Sequence, residues 1–488
     1  MNWGTHRGVC GVGPSARRAR LAVAIAVLGI GFVAGRAWLG HEDWVAGVSA
    51  VLRAIEPSEG LPAVAAPPRD GLLSPVLRSP PQAIFASIPA SPEGFARSSA
   101  HLEREPSLET GAPWKPARLV DWVQPPLYRT DLAGPLRVEY TMDVELTRQI
   151  FQLLRRGRVA RAHVIVMEPD SGRVLAFTST DPDSFPGSAA YPVASLIKIV
   201  TAAAALDRAP DQARRRCRYR GSPYRLTPSR VRPPRSGNEM SLEHSLATSN
   251  NQCFAQLAVN TVGGAGMLSA IERFGWLSPP APGHEAGSAT LGDDDYDLGR
   301  LGCGLAGCRI TPLHAAQLAG SLARGELVEP RWIDRVVDVH GRSLPFPSRR
   351  KVRRIMRSEL ADELREMLVR TTTRGTARSA FRDRRGRYRL GEIRVAAKTG
   401  NLTGNESRGR YEWFIGVAPA EAPSVAVAVL QLQSDLWWVR SSELGADVLS
   451  AIFCDKRDCR PELALRFADG PGESLVSPDG SGPGGSGE

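Results

Sequence analysis

Lysine is nearly absent from this chain. Of its 62 basic residues only Lys115, Lys198, Lys351, Lys398 and Lys456 are lysines, and the rest are arginine. A guanidinium cannot release its proton near neutrality, whereas an ammonium can, so each retained Lys marks a place where a titratable amine could be needed. Long basic runs are also missing. No stretch of five or more cations occurs, so the net charge of +11 is dispersed and a nucleic-acid partner is not indicated. Long apolar runs are absent after the N-terminal region, which excludes a polytopic membrane protein. The hydrophobic share of 42% excludes wholesale disorder. No internal repeat is visible, and 488 residues suggest two to three domains at about 150 residues each.

What is present begins with one apolar stretch. Residues 21–35 are apolar or Gly, preceded by Arg17, Arg18 and Arg20. Extended to residue 40, the segment has the length of about 30 Å needed to cross a bilayer core. The basic flank before it and Glu42 and Asp43 after it predict a cytoplasmic N-terminus. A cleaved signal peptide is the rival reading, and both readings export the remainder.

Cysteine usage agrees with export. Beyond Cys10, six cysteines remain, with Cys303/Cys308 and Cys454/Cys459 both spaced C-x4-C. These close pairs are expected to be local disulfides in an oxidising space, which leaves Cys217–Cys253 by elimination. Zinc is the alternative for such pairs, but neither is flanked by a second pair at finger spacing, so the expectation is no metal.

Residues 41–135 hold 15 of the 38 prolines and read as an extended stalk. Residues 469–488 hold seven glycines and read as a disordered tail. The globular part is expected at 136–468. Within it, residues 163–179 alternate apolar positions around Asp170-Ser171-Gly172, the pattern of a β-hairpin. Three more strands are expected at 392–400, 411–419 and 424–434. Helical patterns cover 193–206, 242–248, 252–261, 313–324, 359–369 and 443–453. Strands at both ends with helices between them predict an α+β domain whose antiparallel sheet is assembled from both ends, with a helical subdomain inserted.

Three short motifs fall in order within that domain: Ser195-Leu196-Ile197-Lys198, Ser249-Asn250-Asn251 and Lys398-Thr399-Gly400. The first opens an apolar helix just after Pro192. An offset of three puts the hydroxyl and the amine on one helix face, within reach of each other. The positive potential of a helix N-terminus favours an alkoxide and depresses the amine's pKa. A hydroxyl nucleophile needs such a base beside it. A lone S-x-x-K arises readily by chance. All three motifs in order, at an expected helix start, interhelix loop and strand end, do not.

The triplet resembles the transpeptidase domain of penicillin-binding proteins, serine acyltransferases that cross-link peptidoglycan. The resemblance covers about 136–455. It extends to residues 140–154, to the 163–179 hairpin, to RITPLHAAQLAGSLARGE at 309–326, to TTTRGTARSAF at 371–381 and to WFIGVAP at 413–419. It implies a β-lactamase/transpeptidase-like fold, with Ser195 as nucleophile and Lys198 as its general base. Ser249 would relay the proton to the leaving amine. Asn251 would hold the donor's amide side group, and Lys398 would fix Ser249 and attract the substrate carboxylate, with Thr399 bonding it. The backbone N–H groups of Ser195 and Asn401, beside Gly400, would form the oxyanion hole. The position after K-T-G, usually Thr or Ser in that family, is Asn401. His314 stands where Gln is common and reads as an ordinary helix position.

The function this implies is a membrane-anchored serine D,D-transpeptidase without a cofactor, single-pass in the bacterial inner membrane, its catalytic domain outside the cytoplasm. Its implied partners are peptidoglycan stem peptides, β-lactams, the inner membrane and a glycan-polymerising cell-wall synthase. A D,D-carboxypeptidase would use the same residues. A β-lactamase of the same fold is disfavoured: no E-x-x-L-N segment follows Ser249, as a deacylating Glu would require, and Ser249-Asn250-Asn251 is not the S-x-V of the carbamylated-lysine class. An idle binder or scaffold is disfavoured by the complete triplet. The Arg-rich stretch 214–235 reads either as a solvated loop or as a track for anionic glycan or lipid.

Overall fold

The computed structural model describes residues 118–123 and 136–468, apart from 182–183, 282, 338–339, 343–350, 404–408, 434–437 and 457. The expected anchor at 21–40, most of the stalk and the tail at 469–488 lie outside the described residues. Among the described residues no single helix is long and apolar enough to cross a membrane.

In chain order the elements that build the site are α1 (Val144–Arg156), β1 (Ala162–Met167), β2 (Val174–Ser179), α2 (Ile197–Arg208), α3 (Leu242–Ala247), α4 (Asn251–Leu257), α5 (Asp295–Cys303), α6 (Pro312–Gly320), α7 (Ser358–Thr373), β3 (Ala396–Thr403), β4 (Arg410–Ala418), β5 (Val425–Gln433) and α8 (Ser441–Phe453). The strands form one five-stranded sheet in the order β3-β4-β5-β1-β2. Every neighbouring pair is antiparallel. The sheet is thus made from both ends of the domain, as the sequence predicts.

Local chemistry explains these elements. β5 reads VAVAVLQLQ and is buried at all nine positions, the composition of a strand covered on both faces. Between β1 and β2 the chain reverses at Gly172, whose φ of +72° is open to glycine at little cost. α1 starts at Asp143, whose carboxylate accepts from the Leu146 N–H at 2.7 Å. α6 starts at Thr311, with Pro312 in its first turn.

Helices cover both faces of the sheet. α6 lies close to Met167 of β1 and Ala426 of β5 at Gly320, while α8 meets Phe414 of β4 at Gly445. Ala426 pairs across to Val417, and Phe414 pairs to Val429, so the two contacts fall on opposite faces. α1 joins α8 on its side, and α7 packs along the edge strand β3. The helical segment between β2 and α6 forms the second lobe, with α2, α4 and α5 packed together.

Two differences from the sequence reading concern boundaries. The K-T-G strand begins at Ala396 rather than at 392 and continues to Thr403, so Lys398 is its third residue and not its end. The nucleophile segment starts with a 3-10 turn over Ala194–Leu196 before α2 begins. A third difference is chemical. Cys217–Cys253 and Cys454–Cys459 are disulfides, but Cys303 and Cys308 are free and buried. Register explains it. Cys454 and Cys459 are cross-strand partners, whereas Cys308 sits opposite Ala289 and the Cys303 thiol points to the Arg300 carbonyl at 3.6 Å.

Candidate active site

The three motifs, scattered over two hundred residues, meet at one place. Lys198, the second residue of α2, is fully buried and sends its amine to Ser195 Oγ at 2.9 Å. The same nitrogen lies 2.9 Å from the Ser249 carbonyl, 3.0 Å from Ser249 Oγ and 2.6 Å from Asn251 Oδ1. Four oxygens surround a nitrogen that carries at most three hydrogens. That environment accommodates a neutral amine that accepts from a serine hydroxyl. Burial pulls the Lys198 pKa down from its ordinary value to about 8.

Lys398 approaches the cluster from the opposite side. Its amine is 3.1 Å from Ser249 Oγ and 2.6 Å from the Thr399 carbonyl. Burial lowers its pKa well below the usual lysine range, and the charge of Lys198 lowers it further.

Backbone geometry sets these side chains. Ser249 has φ +61° and joins the end of α3 to the start of α4. Asn250 then caps α4 by accepting from the Cys253 N–H at 3.2 Å. The expected interhelix loop is therefore three residues, Thr248–Asn250, turned by the left-handed Ser249, a conformation that costs a non-glycine of order 1 kcal/mol. Ala194, next to Ser195, also has positive φ, at +49°. Its carbonyl is backed by Gly304, where a Cβ would come within 1.9 Å of the Ala194 oxygen. With φ +82°, Gly304 is held to glycine by conformation as well as by space.

The K-T-G strand lies against the same turn. A Cβ on Gly400 would stand 3.3 Å from the Ser195 nitrogen, so strand and nucleophile backbone are in contact. Trp413 of β4 donates from Nε1 to the Pro192 carbonyl at 2.9 Å, which fixes the approach to the turn. Asn401, next along β3, is exposed beside this contact.

Several contributors were not singled out from sequence. Thr376 Oγ1 is 2.5 Å from Thr399 Oγ1 and holds that hydroxyl from behind. It lies in the TTTRGTARSAF segment, which signalled the family but no individual role. The Tyr224 carbonyl accepts from Asn251 Nδ2 at 2.8 Å, and nothing in the sequence marks that contact. His314 is buried, with Nε2 2.9 Å from the Phe274 carbonyl, and takes no part in the cluster.

Comparison with known proteins fits this geometry. The penicillin binding protein transpeptidase domain model matches residues 162–452, more than half of the chain. This chain belongs to the penicillin-binding protein transpeptidase family. Among curated relatives of this penicillin-binding domain, peptidoglycan D,D-transpeptidase PbpA of Mycobacterium tuberculosis is 27% identical over 332 residues, covering 59% of this chain and 63% of that protein. PbpA of Mycolicibacterium smegmatis is 26% identical over 340 residues, covering 60% and 66%. The match thus spans less than two-thirds of the relatives' length. Of the solved structures, the imipenem acyl-enzyme complex of M. tuberculosis penicillin-binding protein A superposes with a TM-score of 0.55 at 24% identity, covering 65% of this chain and 80% of that one. The D,D-transpeptidase domain of a peptidoglycan glycosyltransferase from Eggerthella lenta gives 0.53 at 21% identity, covering 64% and 82%. Both show that the penicillin-binding transpeptidase fold is shared.

Proposed function

We propose that this protein is a serine D,D-transpeptidase that cross-links peptidoglycan stem peptides through an acyl-enzyme on Ser195 and is acylated by β-lactams at the same residue. The observation that carries this reading is the buried Lys198 amine, 2.9 Å from Ser195 Oγ.

With a pKa of about 8, Lys198 has a usable neutral fraction at pH 7 and can take the Ser195 proton as Oγ attacks the donor peptide carbonyl. The developing oxyanion would lie between the N–H groups of Ser195 and Asn401. Ser249 Oγ, within 3.1 Å of both lysine amines, is the natural path for that proton to the leaving amine. The amine of an acceptor peptide then attacks the acyl-ester, the Ser195 Oγ–carbonyl bond breaks, and the proton released by the amine passes through Lys198 back to Ser195 Oγ.

Lys398 would offset the terminal carboxylate of the donor, and the Thr399 hydroxyl, held by Thr376, would bond it. Asn251 spends Oδ1 on Lys198 and one Nδ2 hydrogen on Tyr224, which leaves its second Nδ2 hydrogen for the donor's amide side group. Gly400 keeps the strand close enough for these contacts. We further place the domain outside the cytoplasmic membrane, tethered by residues 21–40 through a stalk at 41–135, with a glycan-polymerising synthase as its working partner. The two disulfides favour such an oxidising space.

The test uses the full-length chain with a labelled penicillin, then with a pentapeptide donor and an amine acceptor resolved by mass spectrometry. Label on Ser195 and an amide-linked product support the reading. Label retained by Ser195→Ala overturns the nucleophile, and hydrolysis without any transfer product makes the enzyme a carboxypeptidase.

A further inference from the structure

A second concave site lies along α7, where Glu243 of α3 also lines it. It is a cavity of about 420 Å³ whose charged lining is Glu243, Glu366, Arg370, Arg374, Arg382 and Arg394. Two of the four guanidiniums are matched by carboxylates. Arg370 pairs with Glu243, and Arg394 pairs with Glu366 at 2.5 Å and with Glu421 at 2.9 Å. Arg374 and Arg382 have no ion-pair partner among the described residues. Arg382 donates one N–H to the Gly386 carbonyl at 2.7 Å, while its buried Nε has no hydrogen-bond partner. The lining therefore carries two cations in excess, facing one concavity that is open to solvent. Planar guanidinium forks of this kind match the oxygens of a phosphate in charge and geometry.

The cavity is connected to the catalytic motifs through two backbone contacts. Arg374 caps the C-terminus of α7 and is followed by Gly375, where a Cβ would come within 2.3 Å of the Ala247 carbonyl. The Thr376 N–H donates to that same carbonyl at 3.1 Å, and the Thr376 hydroxyl holds Thr399. Ala247 ends α3, the helix that carries Glu243 at the cavity and delivers Ser249 two residues later. One segment thus touches the cavity, the helix end two residues before the serine of the second motif, and the threonine of the third.

We propose that this cavity is a binding site for a phosphate-class anion, and that its occupancy holds the Arg374–Thr376 segment against α3. The anion could be supplied by a free phosphate or by a phosphodiester in a polyanionic chain. Two arms separate these sources: calorimetric titration of the full-length protein with inorganic phosphate, and with a glycerol-phosphate trimer, at fixed ionic strength. The source is the ligand that binds at least tenfold more tightly. Saturable one-to-one binding is expected, weakened at least tenfold in the Arg374→Gln/Arg382→Gln variant and severalfold in either single variant. Hydrogen exchange at the Thr376 amide is expected to slow at least threefold when the ligand is bound. Neither readout uses acylation, so the inference and the proposed activity stand or fall separately. Absence of saturable binding in both arms, or equal binding by the folded double variant, overturns the site. Binding with unchanged Thr376 exchange overturns the connection to the catalytic segments.

Discussion

Lys198 and Lys398 direct their amines at the same hydroxyl, Ser249 Oγ, from 3.0 and 3.1 Å. Two buried ammonium groups sharing one small acceptor repel each other, and burial already disfavours the charged form of each. The pair is therefore arranged so that a proton is easily lost from it.

Arginine substitution separates the roles of the two lysines. Lys198→Arg is expected to slow acylation by about 10²–10⁴-fold, because a guanidinium cannot accept the Ser195 proton near neutrality. Lys398→Arg retains a positive charge for the substrate carboxylate and is expected to lose less, although the larger group must be fitted into a fully buried position. Stopped-flow acylation by a fluorescent penicillin measures both. Equal losses, or a milder effect at Lys198, would remove Lys198 from the role of base.

The acylation rate should depend on pH with a definite sign. A base that works as the neutral amine is inactive when protonated, so the rate rises with pH. With Lys198 at about 8, it should climb roughly tenfold between pH 6 and 7 and level off above about 8.5. A rate that is flat from pH 6 to 8, or falls, contradicts proton acceptance by this amine.

Gly304 is not part of any motif, yet it should be needed for catalysis. In Gly304→Ala the new methyl would meet the Ala194 carbonyl at 1.9 Å, and φ +82° would add strain of about 1 kcal/mol. The Ser195 turn must shift. Acylation is expected to fall at least tenfold, with a stability loss of about 1–3 kcal/mol in urea unfolding. Full acylation in the variant would show that the turn does not depend on this contact.

The disulfides give a mapping experiment and a stability experiment. Non-reducing peptide maps should contain Cys217–Cys253 and Cys454–Cys459, and Cys303 and Cys308 should react with alkylating reagents only after unfolding. Cys217–Cys253 spans 36 residues, so removing it by Cys217→Ser/Cys253→Ser should cost up to about 4 kcal/mol through the entropy of the unfolded chain. It also ties the Arg-rich hairpin of Cys217–Tyr219 and Asn238–Met240 to α4, which begins at Asn251. A Cys303–Cys308 peptide in the map, or an unchanged unfolding midpoint in the double variant, would count against these assignments.

Local rules account for what was legible in the sequence. Ser195 and Lys198 are three residues apart on a helical segment, so their 2.9 Å contact follows from helix geometry and needs no distant part of the chain. The alternating hairpin at 163–179 and the apolar run of β5 announce strands because their own side chains favour a covered pleated surface. The order of the three motifs identified the family. The C-x4-C spacing misled at Cys303 because spacing does not specify orientation. α5 ends at that residue, while Cys308 begins a strand paired with a different segment.

The sequence by itself determined the chemical inventory: a serine with an adjacent amine, a second serine with two asparagines, and a K-T-G strand in a domain whose sheet is drawn from both ends. Only the tertiary structure decided that Lys398, 149 residues beyond Ser249, would share its hydroxyl with Lys198, that Thr376 would stand behind Thr399, and that Gly304 would support the Ser195 turn. Those contacts depend on how β3, α3 and α5 pack around α2 and the turn that precedes it. Packing is set by the summed burial of many side chains across the whole domain, and no short stretch of sequence encodes it.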